Sequence, residues 1–399
     1  MAEEGVLKGI TVLDLTRVVA GPFCGAILGD LGAKVIKIER PEKGDDSRAY
    51  APYINGESLY YANLNRNKYG ITLNLKTEQG KEIIKGLVKK ADILIENFRP
   101  GVMERLGLGY HNLIKINSKL IYGAVSGFGS YGPYKERPGY DIIAQAMGGL
   151  MSITGQKGNP PTRAGSAMGD MLGGLNLTIG VLAALQARER TGKGRKVDIA
   201  LTDCVVASLE QTIQRYVVSG KNPERNGNTY AAIAPYDTFR ARDGYVVIGC
   251  GNQKLFEAFC RDIMKKPEII VDARFLTVPL RVENNEELKG MIEEWTSKRS
   301  VEEIVNAVLK AQIPASPIFN VEDVVKDPHI AKAREMIVKN SHPVMGEIIL
   351  NGNPIKILGA MPKIRKPSPI LGEDTESILG EYLNISGEEI RTLRKKGVL

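Results

Sequence analysis

The chain has 399 residues, long enough for two domains, and its 43% hydrophobic and 25% charged residues are typical of a globular protein. Its 54 basic and 46 acidic residues give a formal net charge of +8, which favours an anionic partner. Because Lys and Arg are scattered rather than grouped in runs, we expect a small polyanion and no nucleic acid.

The sequence offers few residues for a metal site or for catalysis by histidine. The four cysteines show no CxxC spacing and lie in hydrophobic surroundings, which is typical of free, buried thiols in a reducing compartment. The histidines His111, His329 and His342 lie far apart, so we expect neither a zinc site nor a His-based triad. The N-terminus lacks a signal-peptide core, and no apolar run reaches about 18 residues without a charge. We therefore expect a cytoplasmic protein without a membrane partner.

The first half of the chain alternates strand-like apolar runs with helical patterns, which predicts an α/β fold around a parallel sheet. Helices are predicted at 23–32 and at 78–91, the second with Thr77 as its N-cap. The predicted strands cover residues 11–15, 33–40, 70–75, 92–98 and 120–128.

The second half begins with a long apolar helix, predicted at 171–190 and expected to be buried on nearly every side. A strand starting at residue 196 leads to a predicted helix at 204–220. Alternating strands within 236–250 then predict a β-hairpin with its turn at ARDG. Helical patterns at 252–263, 285–298 and 300–313 complete a smaller α+β unit with this hairpin. A further short helix is predicted at 386–399.

Polar loops follow the predicted strands where they end, and ligands of open α/β sheets bind beyond these carboxyl ends. Such loops are also polar through exposure alone, but five cations at one sheet edge predict an anion-binding site. The loops cover 16–22, 39–41, 97–101 and 126–140, and their basic residues are Arg17, Arg40, Arg99, Lys135 and Arg137.

Asp170 stands alone in a run of small and apolar residues, GSAMGDMLGG, just before the long helix. An Asp at a helix start is commonly an N-cap, which stabilises a helix by about 1 kcal/mol. The same carboxylate suits nucleophilic attack, because small neighbours leave room for a bulky substrate and first-turn N–H groups can face an oxyanion. A carboxylate is ionised at neutral pH and needs no neighbouring base. The residues alone leave both interpretations open.

Several separated stretches carry a family resemblance. They are VLDLTRVVAGPFCGAILGDLGAKVIKIERPEKGDDSR, LNRNKYGITLNLKTEQG, ADILIENFRPGVMERLGLGY and GYDIIAQAMGGLMSITG with the later GSAMGDMLGG. In this order, and together with RERTGKGRKVDIALTD and YDTFRARDGY, they resemble the class III coenzyme A transferases. That family includes formyl-CoA transferase, the carnitine-pathway CoA transferase and α-methylacyl-CoA racemase.

The resemblance implies a Rossmann-like large domain, formed by both chain ends, and a smaller central α+β domain. On this basis residues 1–205 begin the large domain, 206–227 form a linker and 228–318 form the small domain. Residues 319–399 form a second linker and the part that returns to the large domain. The resemblance also implies an interlocked, intertwined homodimer.

The resemblance also implies that Asp170 is a catalytic nucleophile. The reaction is then the transfer of CoA from an acyl-CoA thioester to a carboxylic acid, through an aspartyl mixed anhydride and an aspartyl-CoA thioester. Coenzyme A takes part as a substrate, and neither a metal nor a permanently bound cofactor is required.

A further set of residues matches the segments that line the family's CoA site. Arg40 and Arg105 are the predicted phosphate contacts, because guanidinium groups pair well with phosphate oxygens, and surface salt bridges are the alternative for both. Asp141 would hold the thioester end or serve a structural hydrogen bond. The full set is Val19, Ala20, Arg40, Leu73, Asn74, Lys76, Asn97, Phe98, Arg99, Arg105, Arg137, Tyr140 and Asp141.

Two departures from the family pattern restrict the type of reaction and the acceptor acid that we expect. The racemase branch has a histidine where this chain has Tyr140, and tyrosine is a poor proton-transfer group near neutral pH. Racemase activity is therefore the second interpretation, after transfer. The glycine-rich substrate loop of oxalate-using formyl-CoA transferases is also missing, with only Gly249 and Gly251 in that region. We therefore expect an acceptor larger than oxalate.

Two other protein classes fit less well. A nicotinamide-dependent dehydrogenase would need GxGxxG after the first strand, where this chain has TRVVAGP. A non-catalytic protein that binds CoA or nucleic acid would explain the charge but leaves Asp170 without a role.

Overall fold

The computed structural model describes residues 5–399, which divide into two compact units. The larger unit contains the described residues up to Leu150, Arg163–Gln214 and Asp327–Leu399, so it includes both ends of the described chain. The smaller unit contains Met151–Thr162 and Arg215–Lys326. The longer of these two segments begins within the expected linker 206–227, and the shorter one comes earlier in the chain.

The described residues contain thirteen strands, which are β1 Thr11–Asp14, β2 Lys34–Glu39, β3 Tyr53–Ile54, β4 Glu57–Ser58, β5 Lys68–Thr72, β6 Ile93–Glu96, β7 Ile121–Ser126, β8 Lys196–Ala200, β9 Tyr236–Arg240, β10 Tyr245–Gly249, β11 Ala315–Pro317, β12 Ile337–His342 and β13 Gly346–Asn351. Six of them form the central sheet of the larger unit in the order β5-β2-β1-β6-β7-β8. Every neighbouring pair in it is parallel, which confirms the predicted α/β sheet.

Helices connect the strands of the central sheet and make up most of the smaller unit. They are α1 Ala20–Asp30, α2 Leu59–Asn65, α3 Glu78–Val88, α4 Val102–Arg105, α5 Tyr110–Ile116, α6 Asp141–Met147, α7 Leu150–Ile153, α8 Met168–Thr191, α9 Leu201–Ala207, α10 Thr212–Ser219, α11 Gln253–Ala258, α12 Val278–Glu283, α13 Asn285–Thr296, α14 Val301–Lys310, α15 Val321–Lys326, α16 Thr375–Leu383 and α17 Gly387–Lys395.

The central sheet buries a helix layer on each face, because successive residues of a strand point to opposite sides. Val12 lies in one apolar cluster with α1 and α8, and its neighbour Leu13 lies in another with α3 and α16. Both side chains are fully buried. The C-terminal segment is bound to this unit as well, since the Asn74 N–H donates to the Val398 carbonyl at 2.8 Å.

Helix α8 is less buried than the sequence predicts. Its length and composition would allow it to cross a membrane, yet Leu177 and Val181 are fully buried in the core. Elsewhere on the helix, Leu175 is 39% exposed and Ile179 is 65% exposed. A single chain therefore buries one side of α8 and leaves apolar side chains of another side uncovered.

Two further helices differ from the sequence prediction. Helix α1 begins at Ala20, before Pro22, because a proline in the first turn lacks only an N–H that has no partner within the helix. The helix predicted at 204–220 is divided into α9 and α10. Between them Glu210 adopts a left-handed φ of 53°, which a continuous right-handed helix cannot contain.

The smaller unit contains the predicted β-hairpin. Strands β9 and β10 pair antiparallel, and β11 pairs with β10 as a third strand. Phe256, Leu288 and Ile304, from three different helices, are fully buried in one cluster with this sheet. This unit therefore combines a small antiparallel sheet with packed helices.

Candidate active site

The carboxyl ends of β1 and β6 lie side by side where the strand order reverses. From β1 the chain continues to β2 on one side, and after β5 it returns to β6 on the other side of β1. Such a switch point opens a crevice for ligands in doubly wound sheets. A cavity of about 130 Å³ lies there, lined by residues that directly follow the two strands.

Asp170 lies in the wall of this cavity, which we call the Asp170 cavity. Helix α8 contributes Asp170, and the start of α1 contributes Val19 and Ala20. Residues that are distant in sequence are thus brought together at one point of the fold. The sequence-predicted site residues gathered here are Val19, Ala20, Asn97, Phe98, Arg99, Arg137, Tyr140 and Asp170.

Two further cavities share Phe98 with the Asp170 cavity. One measures about 280 Å³ and lies beyond β1, β2 and β5. The other measures about 570 Å³ and is lined by residues of β6, β7 and β8 and of the loops after β6 and β7. Both also share basic residues with the Asp170 cavity, so the three form a continuous band along the sheet edge. The smaller one is lined by the predicted residues Arg40, Leu73, Asn74 and Lys76, and the larger one by Arg99 and Arg105.

The predicted cations do lie along one sheet edge. Arg17, Arg99, Lys135 and Arg137 all line the Asp170 cavity. Arg40 lines the neighbouring cavity and there forms an ion pair with Asp46 at 2.5 Å, and Asp46 also pairs with Arg17 at 3.0 Å. Exposed pairs of this kind contribute little stability, so a ligand phosphate can replace the carboxylate at small cost.

Asp170 is not the N-cap of α8. The helix begins at Met168, which makes Asp170 its third residue. Asp141 fills the capping role from α6, since its Oδ1 accepts from the Gly169 N–H at 2.7 Å and from the Asp170 N–H at 3.4 Å. These first-turn N–H groups are therefore engaged by Asp141 rather than directed at an oxyanion, and Asp141 lines none of the three cavities.

The Asp170 carboxylate is chemically unlike that of Asp141. Within residues 5–399, no hydrogen bond to it contributes to its ionisation. Burial raises the pKa of Asp170 to about 7, and the charge of nearby Asp141 adds to the rise. At neutral pH the carboxyl group is therefore about half ionised, not fully ionised as its ordinary value would give. A strongly perturbed carboxyl group in a cleft marks a candidate functional site.

Four buried charged side chains, which the sequence patterns do not predict, lie beneath the loop that follows β1. Lys37 donates to Asp45 at 2.9 Å, and Lys68 donates to Asp14 at 2.8 Å, with all four side chains fully buried. Burial lowers the pKa of Lys68 to about 8 although Asp14 opposes the change. The signal that could reveal the group is a lysine inside an apolar strand, as in KVIKIE.

The loop above these charges is held in an unusual conformation. Val18 has a left-handed φ of 68°, which is rare for a β-branched residue. Its N–H donates to Asp45 at 3.0 Å, while the N–H and the carbonyl of Arg17 bond to the Asn97 side chain at 2.8 and 2.7 Å. Backbone strain that surrounding contacts hold in place clusters at ligand sites, and this loop lines the Asp170 cavity.

Tyr140, which stands where the racemase branch has histidine, is 71% exposed and lines the Asp170 cavity. None of the three histidines in the chain lines that cavity. An imidazole that could exchange a proton with Asp170 at a substrate α-carbon is therefore missing from the cavity lining.

Comparison with known proteins identifies the family. The sequence model of CoA-transferase family III matches residues 7–375. The chain belongs to this family. A family III enzyme of this kind acts on acyl-CoA, which agrees with a cation-lined band of cavities beside the Asp170 carboxylate.

Similar family III proteins cover nearly the whole chain. An acetyl-CoA:oxalate CoA-transferase of Acetobacter aceti is 43% identical and aligns with 95% of this chain and 96% of its own. A succinyl-CoA:glutarate CoA-transferase of Mus musculus is 39% identical over 98% of this chain and 90% of its own. The crystal structure of a CAIB/BAIF family protein from Brucella suis superposes with a TM-score of 0.83 at 39% identity, over 95% of this chain and 100% of that one. This chain is thus a family III CoA-transferase.

Proposed function

We propose that this family III enzyme transfers CoA to a carboxylic acid with Asp170 as a covalent nucleophile. The observation that carries the proposal is the Asp170 carboxylate, which lines the cavity at the switch point while the neighbouring Asp141 is occupied by the helix start. A carboxylate can form the covalent intermediates of acyl transfer without a partner base once it is ionised.

The first half-reaction converts the donor thioester into an enzyme thioester. An oxygen of Asp170 attacks the thioester carbonyl carbon, the carbon–sulfur bond breaks, and sulfur leaves with the electron pair as CoA thiolate. The resulting mixed anhydride joins Asp170 to the donor acyl group. The thiolate then attacks the Asp170 carbonyl carbon of the anhydride, which releases the donor acid as a carboxylate and leaves an aspartyl-CoA thioester.

The second half-reaction runs the same steps with the acceptor. The acceptor carboxylate attacks the aspartyl thioester, CoA thiolate leaves, and a second mixed anhydride forms. The thiolate attacks the acceptor side of that anhydride, which produces the new acyl-CoA and restores the Asp170 carboxylate. Protons and electrons balance without a redox partner.

The band of cavities supports an extended placement of CoA along the sheet edge. The cavity beyond β1, β2 and β5 suits the adenine ring, because Leu73, Leu75 and Phe98 give it apolar walls. The phosphates would lie among the arginines, with Arg40 exchanging Asp46 for a phosphate and Arg105 contributing from the neighbouring cavity. The pantetheine arm would then pass Val19 and Ala20 to reach Asp170.

We propose a short dicarboxylic acid as the acceptor. Relatives named for oxalate, glutarate and mesaconate transfer are 43%, 39% and 38% identical to this chain. A dicarboxylate keeps one charge while the other end reacts, and Lys135 and Arg137 at the cavity can pair with it. The missing glycine loop favours acids larger than oxalate, whereas the oxalate-named relative favours oxalate itself, so an acceptor panel must contain both sizes.

We also propose that the enzyme works as an intertwined homodimer. Helices α6, α8 and α9 pack on one another and expose apolar side chains, including Ile142 at 49%, Met147 at 47%, Ile179 at 65% and Val206 at 39%. Exposed apolar side chains on helices that pack together are typical of a protein interface, and a second copy of the chain would cover them.

Covalent trapping tests the mechanism. Wild-type enzyme is mixed with succinyl-, acetyl- or formyl-CoA and quenched with hydroxylamine, and peptide mass spectrometry should find a hydroxamate at Asp170. Asp170→Ala should form no adduct and lose at least about 10³-fold in transfer rate, because the covalent route requires this carboxylate. Acceptors from oxalate to glutarate are then compared by kcat/KM.

Asp262→Ala is the matched control, because Asp262 is an exposed carboxylate of the smaller unit and, within residues 5–399, is paired only to Arg261. It should keep wild-type activity. An Asp170→Ala enzyme with full transfer activity, or a wild type that forms no adduct with any donor, would show that the proposed mechanism is wrong. Deuterium exchange at the α-carbon of a branched acyl-CoA would instead indicate racemisation.

A further inference from the structure

Two carboxylates meet at the start of α8 and are used differently. Asp141 accepts from the Gly169 N–H through Oδ1 at 2.7 Å and from the Gln145 side-chain amide through Oδ2 at 2.8 Å. Both of its oxygens are therefore occupied. Asp170 lines the cavity instead, and among the described residues 5–399 its ionisation is affected by burial and by Asp141 but by no hydrogen bond.

Gln145 is the group that connects these contacts. Its side chain is fully buried on α6, its Nε2 donates to Asp141 and, at 3.4 Å, to the Ser166 carbonyl, and its Oε1 accepts from the Ala164 N–H at 2.9 Å. The amide supplies a donor and an acceptor to these partners at once. Gln145 thus joins Asp141 to the chain segment that leads into α8.

We propose that Gln145 is a positioning residue that assigns the roles of the two carboxylates, holding Asp141 on the helix start and leaving Asp170 free to attack. This inference rests on the proposed function. Without the Gln145 amide, the second oxygen of Asp141 lacks its donor and the Ala164 N–H lacks its acceptor. Both groups are partly buried, and an unpaired polar group there costs free energy because water reaches it poorly. Asp141 and the residues before α8 then no longer have one fixed arrangement.

The test is a double-mutant cycle read by single-turnover formation of the Asp170 adduct. Gln145→Met keeps the length and volume of the side chain and removes its hydrogen bonds, so the rate should fall about ten- to a hundredfold. In an Asp141→Asn background the contact between the two side chains is already altered, and the same Gln145→Met change should cost less than about threefold. Amide exchange at Gly169 should be faster in Gln145→Met than in wild type.

Gln186→Met on the exposed part of α8 is the matched control and should leave the rate unchanged, and thermal unfolding monitors the fold of every variant. An unchanged adduct rate in Gln145→Met overturns the positioning role. Equal losses in both backgrounds also overturn it, since they indicate a packing role that is independent of Asp141. A wild type that forms no Asp170 adduct instead overturns the proposed function, so the two failures are distinguishable.

Discussion

At the scale of single residues, the reactivity of the site depends on which carboxylate occupies the start of α8. Because Asp141 takes the first-turn N–H groups, Asp170 gains no stabilisation of its charge from them. Burial and the Asp141 charge both favour the protonated form of Asp170 and raise its pKa to about 7. The proposed nucleophile is thus more basic than an ordinary aspartate, and its ionisation falls in the physiological range.

Adduct formation should therefore depend on pH. The single-turnover rate should rise with pH and level off, with a midpoint near 7, because only ionised Asp170 attacks. Asp141→Asn removes the neighbouring negative charge, so the midpoint should move to lower pH. The measurement is the adduct rate of free enzyme between pH 5 and 9 for both proteins. The cations that line the cavity are the same in both proteins, namely Arg17, Arg99, Lys135 and Arg137. Identical midpoints would therefore show that the charge of Asp141 does not influence the pKa of Asp170.

The same shift predicts an effect on stability. The folded pKa of Asp170, about 7, lies above its unfolded value near 3.8, so ionisation progressively destabilises the fold as pH rises from about 4 to about 7. Asp170→Asn should raise the free energy of unfolding by about 2 kcal/mol at pH 8 and change it little at pH 4. The figure is half of what the full pKa difference would give, because the side chain is partly exposed and water screens its charge. Urea unfolding at both pH values measures this, and equal effects at the two would contradict it.

At the scale of elements, the close approach of α1 and α8 aligns the two helix starts at the cavity. Gly174 makes this approach possible, since a Cβ placed on it would lie 2.5 Å from the Ala20 carbonyl oxygen, a backbone atom that cannot move aside alone. The buried Lys37–Asp45 and Lys68–Asp14 pairs fix the loop between β1 and α1 from below. Helix positions thus determine the distance between Asp170 and the opposite wall.

Gly174→Ala should therefore lower both stability and activity. Pushing α1 and α8 apart should cost about 1–3 kcal/mol of unfolding free energy and slow adduct formation. The matched control is Gly290→Ala in α13, where nothing lies within 4 Å of an added Cβ and the better helix former should add up to about 1 kcal/mol. Urea unfolding and single-turnover rates measure both variants. A Gly174→Ala enzyme as stable as the control would contradict tight packing of the two helices.

At the scale of the whole molecule, the exposed apolar side chains of α6, α8 and α9 form the basis of the proposed homodimer. Ile179→Glu places a charge on the most exposed of these positions and should weaken the homodimer by at least about tenfold. Sedimentation equilibrium over a concentration series measures the change. Ile349→Glu, on a strand position exposed to a similar degree, is the control and should leave association unchanged. A wild type that is monomeric at all concentrations would contradict the dimer.

Much of the fold follows from local patterns in the sequence. The alternation of apolar strands and helical segments predicts the parallel sheet, and the loops after those strands predict where a ligand site lies, because parallel strands place their carboxyl ends at one edge. The hairpin of the smaller unit follows from its turn and alternating residues. Element ends are less predictable, as with Ala20 at the start of α1 and Glu210 between α9 and α10.

The sequence by itself determined the class of fold, the family and the candidate nucleophile, since these depend on periodicity and on motifs that can be read along the chain. The tertiary structure decided how Asp170 is used. Asp141 and Gln145 are distant from it in sequence, and only packing of α6 against α8 lets them occupy the helix start. The pKa of Asp170 and the exposure of α8 likewise depend on surroundings that no local pattern contains, because burial is a property of the assembled chain.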